Sequence, residues 1–188
     1  MSKEFTPDWE KYWKEDDSRI VHFIGKDNIV FHCLIFPAMC MSDGRFSLAD
    51  NVPANEFMNL EGDKMSTSRN WKIDMQDYID DFVKKENGGP QAVDMLRYYL
   101  TQIAPETKDS EFTWKGFQDA VNNELVAVFG NYVNRTFVLM HKLCNGKVPR
   151  LHDDILDDTD RQLMEAFSET ASQVGDDIGH YRFRDGLF

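Results

Sequence analysis

Trp9, Tyr12 and Trp13 recur at helical spacing behind Pro7, which predicts a short amphipathic helix over residues 7–15. Residues 20–24 are β-branched and aromatic and read as a strand. It stops at the polar turn Gly25-Lys26-Asp27-Asn28, ahead of a long apolar stretch over 29–41 that predicts a buried helix. Residues 52–60 read as a strand, with Pro53 confined to its start or to an edge, and a polar loop over 61–70 follows. Met75, Tyr78, Ile79, Phe82 and Val83 share one face of a helix over 74–85, closed by Glu86-Asn87-Gly88-Gly89-Pro90; a second helix over 91–103 ends before Pro105.

From Thr113 the pattern becomes purely helical. Phe117, Val121, Leu125, Phe129, Tyr132 or Val133, Phe137 and Met140 recur every three or four residues up to Asn145-Gly146. One helix is expected, on the order of 45 Å long at about 1.5 Å per residue. An acidic connector over 153–160 leads to a last helix carrying Leu163, Phe167, Val174 and Ile178, with Thr159 or Asp160 as its cap. The chain ends in mid-pattern at Tyr-Arg-Phe-Arg-Asp-Gly-Leu-Phe, as a truncated one would. The pattern therefore predicts an α/β part followed by an all-α part, with the change near residues 104–112.

Composition narrows the function classes. The 188 residues are 41% hydrophobic and 29% charged, as in soluble globular proteins, and neither a bilayer-spanning run nor an apolar signal region is present, which makes the cytoplasm the default compartment. Cys33, Cys40 and Cys144 contain no Cys-x-x-Cys pair and are expected to be reduced, buried thiols rather than metal ligands. A net charge of -12 opposes nucleic-acid binding through the bulk field, so any RNA contact must be local.

Two stretches carry candidate chemistry. A strand, a tight turn and a helix are the parts from which an open sheet builds a ligand crevice, with Asp27 and Asn28 at its edge; helix N-capping is the alternative task for both. Lys64-Met65-Ser66-Thr67-Ser68-Arg69 gathers two cations and three hydroxyls, donors suited to phosphate oxygens, although a solvated turn has the same composition.

That loop resembles the Lys-Met-Ser-Lys-Ser signature of class I aminoacyl-tRNA synthetases. His22-Phe23-Ile24-Gly25-Lys26-Asp27, Phe31-His32 and Phe36-Pro37-Ala38-Met39 are similar to the segment of methionyl-tRNA synthetases that lines the methionine and adenosine pockets. Residues 52–69 and Ala104-Pro105-Glu106-Thr107-Lys108-Asp109 read like the same family, so the resemblance covers nearly the whole chain.

The resemblance implies a partial Rossmann-like nucleotide-binding fold over 1–72, stem-contact helices over 73–111 and an incomplete anticodon-binding helix bundle over 112–188. It implies a ligase that activates methionine with ATP, magnesium being the nucleotide's counter-ion, and transfers it to tRNA-Met. Gly25 and Asp27 would face the adenylate ribose, and Asn28, His32 and Phe36 would border methionine. Lys64, Ser66, Thr67 and Ser68 would hold the triphosphate. Thr67 departs from the signature's second lysine, a charge that Lys64 and Arg69 together would make up. Gly130-Asn131-Tyr132-Val133-Asn134-Arg135 resembles the anticodon-reading face, with Asn131 and Arg135 one turn apart; alone, they also read as a polar stripe facing water or, for Arg135, as a partner of last-helix acids.

The family's His-Ile-Gly-His signature, its zinc-binding insertion and the rest of the anticodon site do not occur in these residues. A segment of the ligase is therefore expected, short of the first half of the catalytic domain, with a non-catalytic tRNA-binding paralogue as the alternative. The missing half is also expected to leave the apolar helix over 29–41 uncovered and prone to associate. By itself the chain is expected to catalyse no methionine-dependent ATP–pyrophosphate exchange, and exchange by the pure chain would contradict this.

Overall fold

The computed structural model describes residues 2–86 and 88–188, so Asn87 of the expected closing turn lies outside the described residues. The chain divides into two compact units. One comprises residues 1–58 and 105–110, the other residues 59–104 and 111–188.

The first unit opens with α1 (Ser2–Phe5) and α2 (Trp9–Lys14), the latter where the Trp9, Tyr12 and Trp13 spacing places it. Residues 20–25 are extended and run parallel to 50–55. Ile20 and Asp50 are joined by two hydrogen bonds, His22 N–H donates to the Asn51 carbonyl at 3.0 Å, and Ile24 N–H to the Pro53 carbonyl at 3.1 Å. The ladder ends in β1 (Ile24–Gly25) against β2 (Ala54–Asn55), in register Ile24 to Ala54. Pro53 thus stands at a strand start, where its missing N–H costs nothing.

A 3-10 turn (Lys26–Asn28) leads into a wide π-type turn (Phe31–Ile35) and then α3 (Phe36–Asp43). The expected helix is present but is not uniform. Pro37 in the first turn of α3 has no N–H to return to the preceding turn, and its ring crowds the carbonyl four residues back. The Phe36 N–H instead reaches five residues back, to the Phe31 carbonyl. Gly44 at φ 72° then ends α3 in the left-handed conformation that glycine adopts without strain.

Burial departs from expectation here. Cys40 is buried, but Leu34 is 66% and Met41 70% exposed, with Ile29, Val30 and Phe31 also exposed. Apolar on every side, these residues find no second layer among the described residues. The thiols follow suit, with Cys40 buried, Cys144 half-buried and Cys33 exposed, so the expectation of three buried thiols fails at Cys33.

The second unit holds all but Met58 and Ser110 of a three-stranded sheet in the order β4 (Asp63–Lys64), β3 (Met58–Leu60), β5 (Ser110–Phe112). β3 and β4 are antiparallel, with Leu60 opposite Asp63. Part of the expected polar loop is therefore strand, and β5 occupies what read as a domain connector. Next to the sheet stand α4 (Met75–Tyr78), continuing as a wide turn over Ile79–Lys85, and α5 (Gly89–Gln102). Asp74 caps the first by accepting from Gln76 N–H, and Pro90 occupies the first turn of the second.

The core of this unit is aromatic. Phe112 is 2% exposed, its ring 5.2 Å from those of Tyr99 and Trp114, and Tyr78 and Phe117 complete the cluster with Leu60, Ala92 and Leu96. Gly116 has no side chain because a Cβ there would collide with the Tyr99 hydroxyl and with Thr113 Oγ1. That Thr113 oxygen caps α6 (Trp114–Ala120) by accepting from Gly116 N–H at 3.0 Å.

The long helix runs through α6, a wide segment Val121–Gly130 and α7 (Asn131–Cys144), ending at Asn145 with φ 52°. Tyr98 and Gln102 both donate to the Glu124 carboxylate, tying α5 to the wide segment; burial, and then this carboxylate, push the Tyr98 hydroxyl up to about 12. Of the apolar stripe only Phe117 is buried, while Phe129, Tyr132 and Phe137 are exposed. α8 (Asp158–Gly179) is capped by Asp157, not by Thr159 or Asp160: Asp157 accepts from Asp160 N–H, and the Asp160 carboxylate accepts from Asp157 N–H in return. Leu163 and Phe167 of α8 are exposed.

Phe112→Ala should lower the stability of the second unit by about 3–5 kcal/mol, the cost of emptying a buried aromatic site. Urea unfolding of the chain followed by circular dichroism measures it, and Phe112→Leu should cost less.

Candidate functional site

In the first unit the expected residues gather around the end of β1. Gly25 is half-buried, with the exposed Asp27 and Asn28 in the turn after it. A Cβ on Gly25 would stand 2.7 Å from the Asp27 Oδ1, so the absent side chain is what lets this carboxylate fold back beside the strand end. Neither the 3-10 turn nor the wide turn after it is capped by a side-chain hydrogen bond, and the capping task weighed for Asp27 and Asn28 is not the one they perform.

Lys26 points away from them. Its Nζ donates to Asp109 at 2.8 Å and to Glu56, and sits 4.6 Å from the centre of the Phe57 ring. The hydrogen bond to Asp109, and after it the one to Glu56, raise its pKa. Asp109 also accepts from Phe57 N–H at 3.0 Å, and it is held below the usual carboxylate range by Lys26 first and by this N–H second.

His32 and Phe36 come together around a residue the sequence had not singled out. His22 Nδ1 lies 3.1 Å from His32 Nδ1, the rings meeting nearly edge to face at 78°, and the Phe36 ring centre is 5.6 Å from that of His22. All three side chains are half-buried. Burial first, and the neighbouring His32 second, hold the His22 imidazole below its ordinary range. With its folded pKa depressed, the stability that His22 contributes is present above about pH 6.5 and is lost as pH falls through the lowered value. The signal for His22 was its place in the extended segment, since alternate positions 20, 22 and 24 share one face of a strand.

In the second unit, Lys64 closes β4 and is exposed. Ser66 and Trp71 exchange both backbone hydrogen bonds at 2.9 Å, so residues 66–71 form a closed loop. Within it Ser66 Oγ and Ser68 Oγ lie 3.1 Å apart, and Arg69 N–H approaches Ser66 Oγ at 3.4 Å. Asn70 N–H donates to the Thr67 carbonyl at 3.1 Å, and Asn70 takes a left-handed φ of 52°. Thr67 is exposed at the tip. The Arg69 guanidinium bends back to the Lys64 carbonyl at 3.1 Å. Trp71 anchors the whole loop, its Nε1–H donating to the Leu60 carbonyl at 2.9 Å. Lys64, Thr67 and Ser68 are thus exposed at a loop whose base is closed by backbone bonds and the Trp71 anchor, residue types suited to phosphate oxygens.

Asn131 and Arg135 stand one turn apart on α7, both exposed, with the exposed Tyr132 between them. The exposed Thr136 bonds its own helix, its hydroxyl donating to the Tyr132 carbonyl at 2.9 Å.

The fold is that of a class I aminoacyl-tRNA synthetase. A Mycobacterium tuberculosis methionyl-tRNA synthetase solved in complex with methionyl-adenylate matches it with a TM-score of 0.78 at 25% identity, over 97% of this chain and 33% of that one. A family model described as tRNA synthetases class I (M) matches residues 1–137, and the chain belongs to that family. Its relatives include the methionine–tRNA ligase of Bacteroides fragilis strain YCH46, 52% identical over 98% of this chain and 26% of the relative. That of Porphyromonas gingivalis strain W83 is also 52% identical, over 99% and 26%. The chain spans about a quarter of the length of these curated relatives. No helix among the described residues is long and apolar enough to cross a membrane.

Trp71→Phe keeps the ring but removes the Nε1–H anchor. At about 1 kcal/mol for the lost bond, the open form of the loop should grow roughly fivefold. Trypsin cleavage after Lys64 and Arg69 in the full-length protein should quicken accordingly.

Proposed function

We propose that these residues serve an ATP-dependent methionine–tRNA ligase, contributing the triphosphate loop, part of the adenylate and methionine pocket, and part of the anticodon face. The observation that carries the reading is the closed 66–71 loop, which presents Ser66, Thr67 and Ser68 beside Lys64 on a base tied to β3. Relatives at 52% identity bearing the ligase name support it.

In activation the methionine carboxylate attacks the α-phosphorus of ATP, and the bond to the leaving pyrophosphate breaks. Negative charge shifts onto that leaving group, so fixed donors accelerate the step without a protein nucleophile. Lys64 supplies a compact charge and the three hydroxyls supply directional donors, while Arg69, bent onto the Lys64 carbonyl, braces the loop and adds its charge where Thr67 lacks one. Magnesium accompanies ATP as its counter-ion. Asp27, turned back by the bare Gly25, accepts from ribose hydroxyls. Asn28, His32 and Phe36 line the methionine side, the aromatic ring suiting a polarisable thioether. The adenylate's carbonyl is then attacked by the tRNA terminal hydroxyl, releasing AMP.

Asn131 and Arg135 read the anticodon of tRNA-Met by polar edges and guanidinium stacking, a local contact compatible with a net charge of -12. Functionally the chain divides at 72 and 111 into a Rossmann-like catalytic part, stem-contact helices and an incomplete anticodon bundle. The family's zinc site belongs to residues outside this chain, and a soluble cytoplasmic enzyme is the setting this reading implies.

In the full-length protein, Lys64→Ala should reduce methionine-dependent pyrophosphate exchange about 10²-fold or more while leaving the KM for methionine unchanged. An unaffected rate would overturn the loop assignment. No exchange by the unmodified full-length protein would favour a tRNA-binding paralogue instead.

A further inference from the structure

The pairing of His22 with His32 has no task in the reading above. Its geometry is held from two rigid sides. His22 is fixed by its own backbone hydrogen bond to Asn51 and by that of Ile24 to Pro53, and His32 sits in the helical turn closed by Phe36 N–H on the Phe31 carbonyl. Between them, the two Nδ1 atoms are 3.1 Å apart. Two neutral imidazoles can make such a bond in one way only, with one Nδ1 carrying the hydrogen and the other accepting it, so the two rings hold opposite tautomers.

We propose that His22 is a positioning residue for His32: its Nδ1–H donates to His32 Nδ1, locking His32 in the tautomer whose Nε2 carries the hydrogen, so that an N–H faces a thioether substrate.

The direction of the bond follows from ligand chemistry and rests on the reading of His32 and Phe36 as the methionine side of the pocket. A thioether sulfur accepts weakly and donates nothing. An N–H meets it favourably, whereas a bare imidazole nitrogen would set one lone pair against another. Only with His22 as donor does the remaining nitrogen of His32 become an N–H. The Phe36 ring, 5.6 Å from that of His22, packs beside it and restrains its rotation. Discrimination would then arise between a thioether and an isosteric side chain with a methylene in place of sulfur, because the second offers no acceptor to the oriented N–H.

The test uses the full-length protein with His22→Phe, His22→Asn and His32→Phe. His22→Phe keeps an aromatic ring and loses the donor; His22→Asn places an amide N–H near the position of the lost Nδ1. His22→Phe should raise the KM for methionine about tenfold with kcat within about twofold, as expected for one lost ground-state contact. It should also narrow the preference for methionine over norleucine. His22→Asn should recover most of both. Histidine-selective 15N NMR should show His32 protonated at Nε2 and bare at Nδ1 in the unmodified protein, with both tautomers populated in His22→Phe.

A His32 protonated at Nδ1 would overturn the proposal, as would equal losses in His22→Phe and His22→Asn, which would reduce His22 to packing. His32→Phe separates the two readings. If it leaves the methionine KM and the norleucine ratio unmoved, the pocket assignment fails, while the 15N pattern still decides whether His22 sets the tautomer of His32.

Discussion

Where β1 ends decides what the first unit can present, and one carboxylate holds that end in place. Asp109 accepts from Lys26 Nζ at 2.8 Å and from Phe57 N–H at 3.0 Å. Lys26 lies between Gly25 and Asp27 in the chain and is drawn to Asp109 and Glu56, while the Asp27 carboxylate folds back beside Gly25. Half-exposed ion pairs contribute little stability individually, because water screens both charges. Their role here is orientation, since they fix the lysine at the centre of Gly25-Lys26-Asp27.

The two candidate sites obtain rigidity differently. The 66–71 loop is closed by backbone bonds across its neck and by one indole donor, which leaves hydroxyls and cations at its tip exposed to a polyanion. The histidine pair is held by packing and by a strand-to-strand ladder, which suits a small, weakly polar ligand that offers few hydrogen bonds of its own. One chain therefore carries a solvent-facing loop of hydroxyls and cations and a half-buried pair of imidazoles, two surfaces of different chemistry.

Much of this was legible because helix signals are local. Asp74 and Thr113 act as caps, Pro90 opens α5 and Asn145 ends α7, each within a residue or two of where turn chemistry puts it. The Lys-Met-Ser-Thr-Ser stretch stood out by residue type, although a solvated turn has the same composition. The strands β4 and β5 were hidden because two or three residues carry no periodicity, and Phe112, the most buried side chain, looked like one apolar residue in a polar connector. Burial of residues 29–41 was overestimated because hydropathy measures what a segment would bury, not whether this chain supplies the covering surface. His22 was passed over because its importance lies in a contact ten residues away, between a strand and a helix.

Pro37 illustrates how influence can run backward along a chain. It offers no N–H to the turn before it, and that wide turn is the one that carries His32. A helix addresses its hydrogen bonds toward its own beginning, so an imino acid edits residues upstream of itself. On the proposed reading of His32, variation at position 37 would be felt at position 32, and a comparison of relatives restricted to pocket-lining side chains would not find its source.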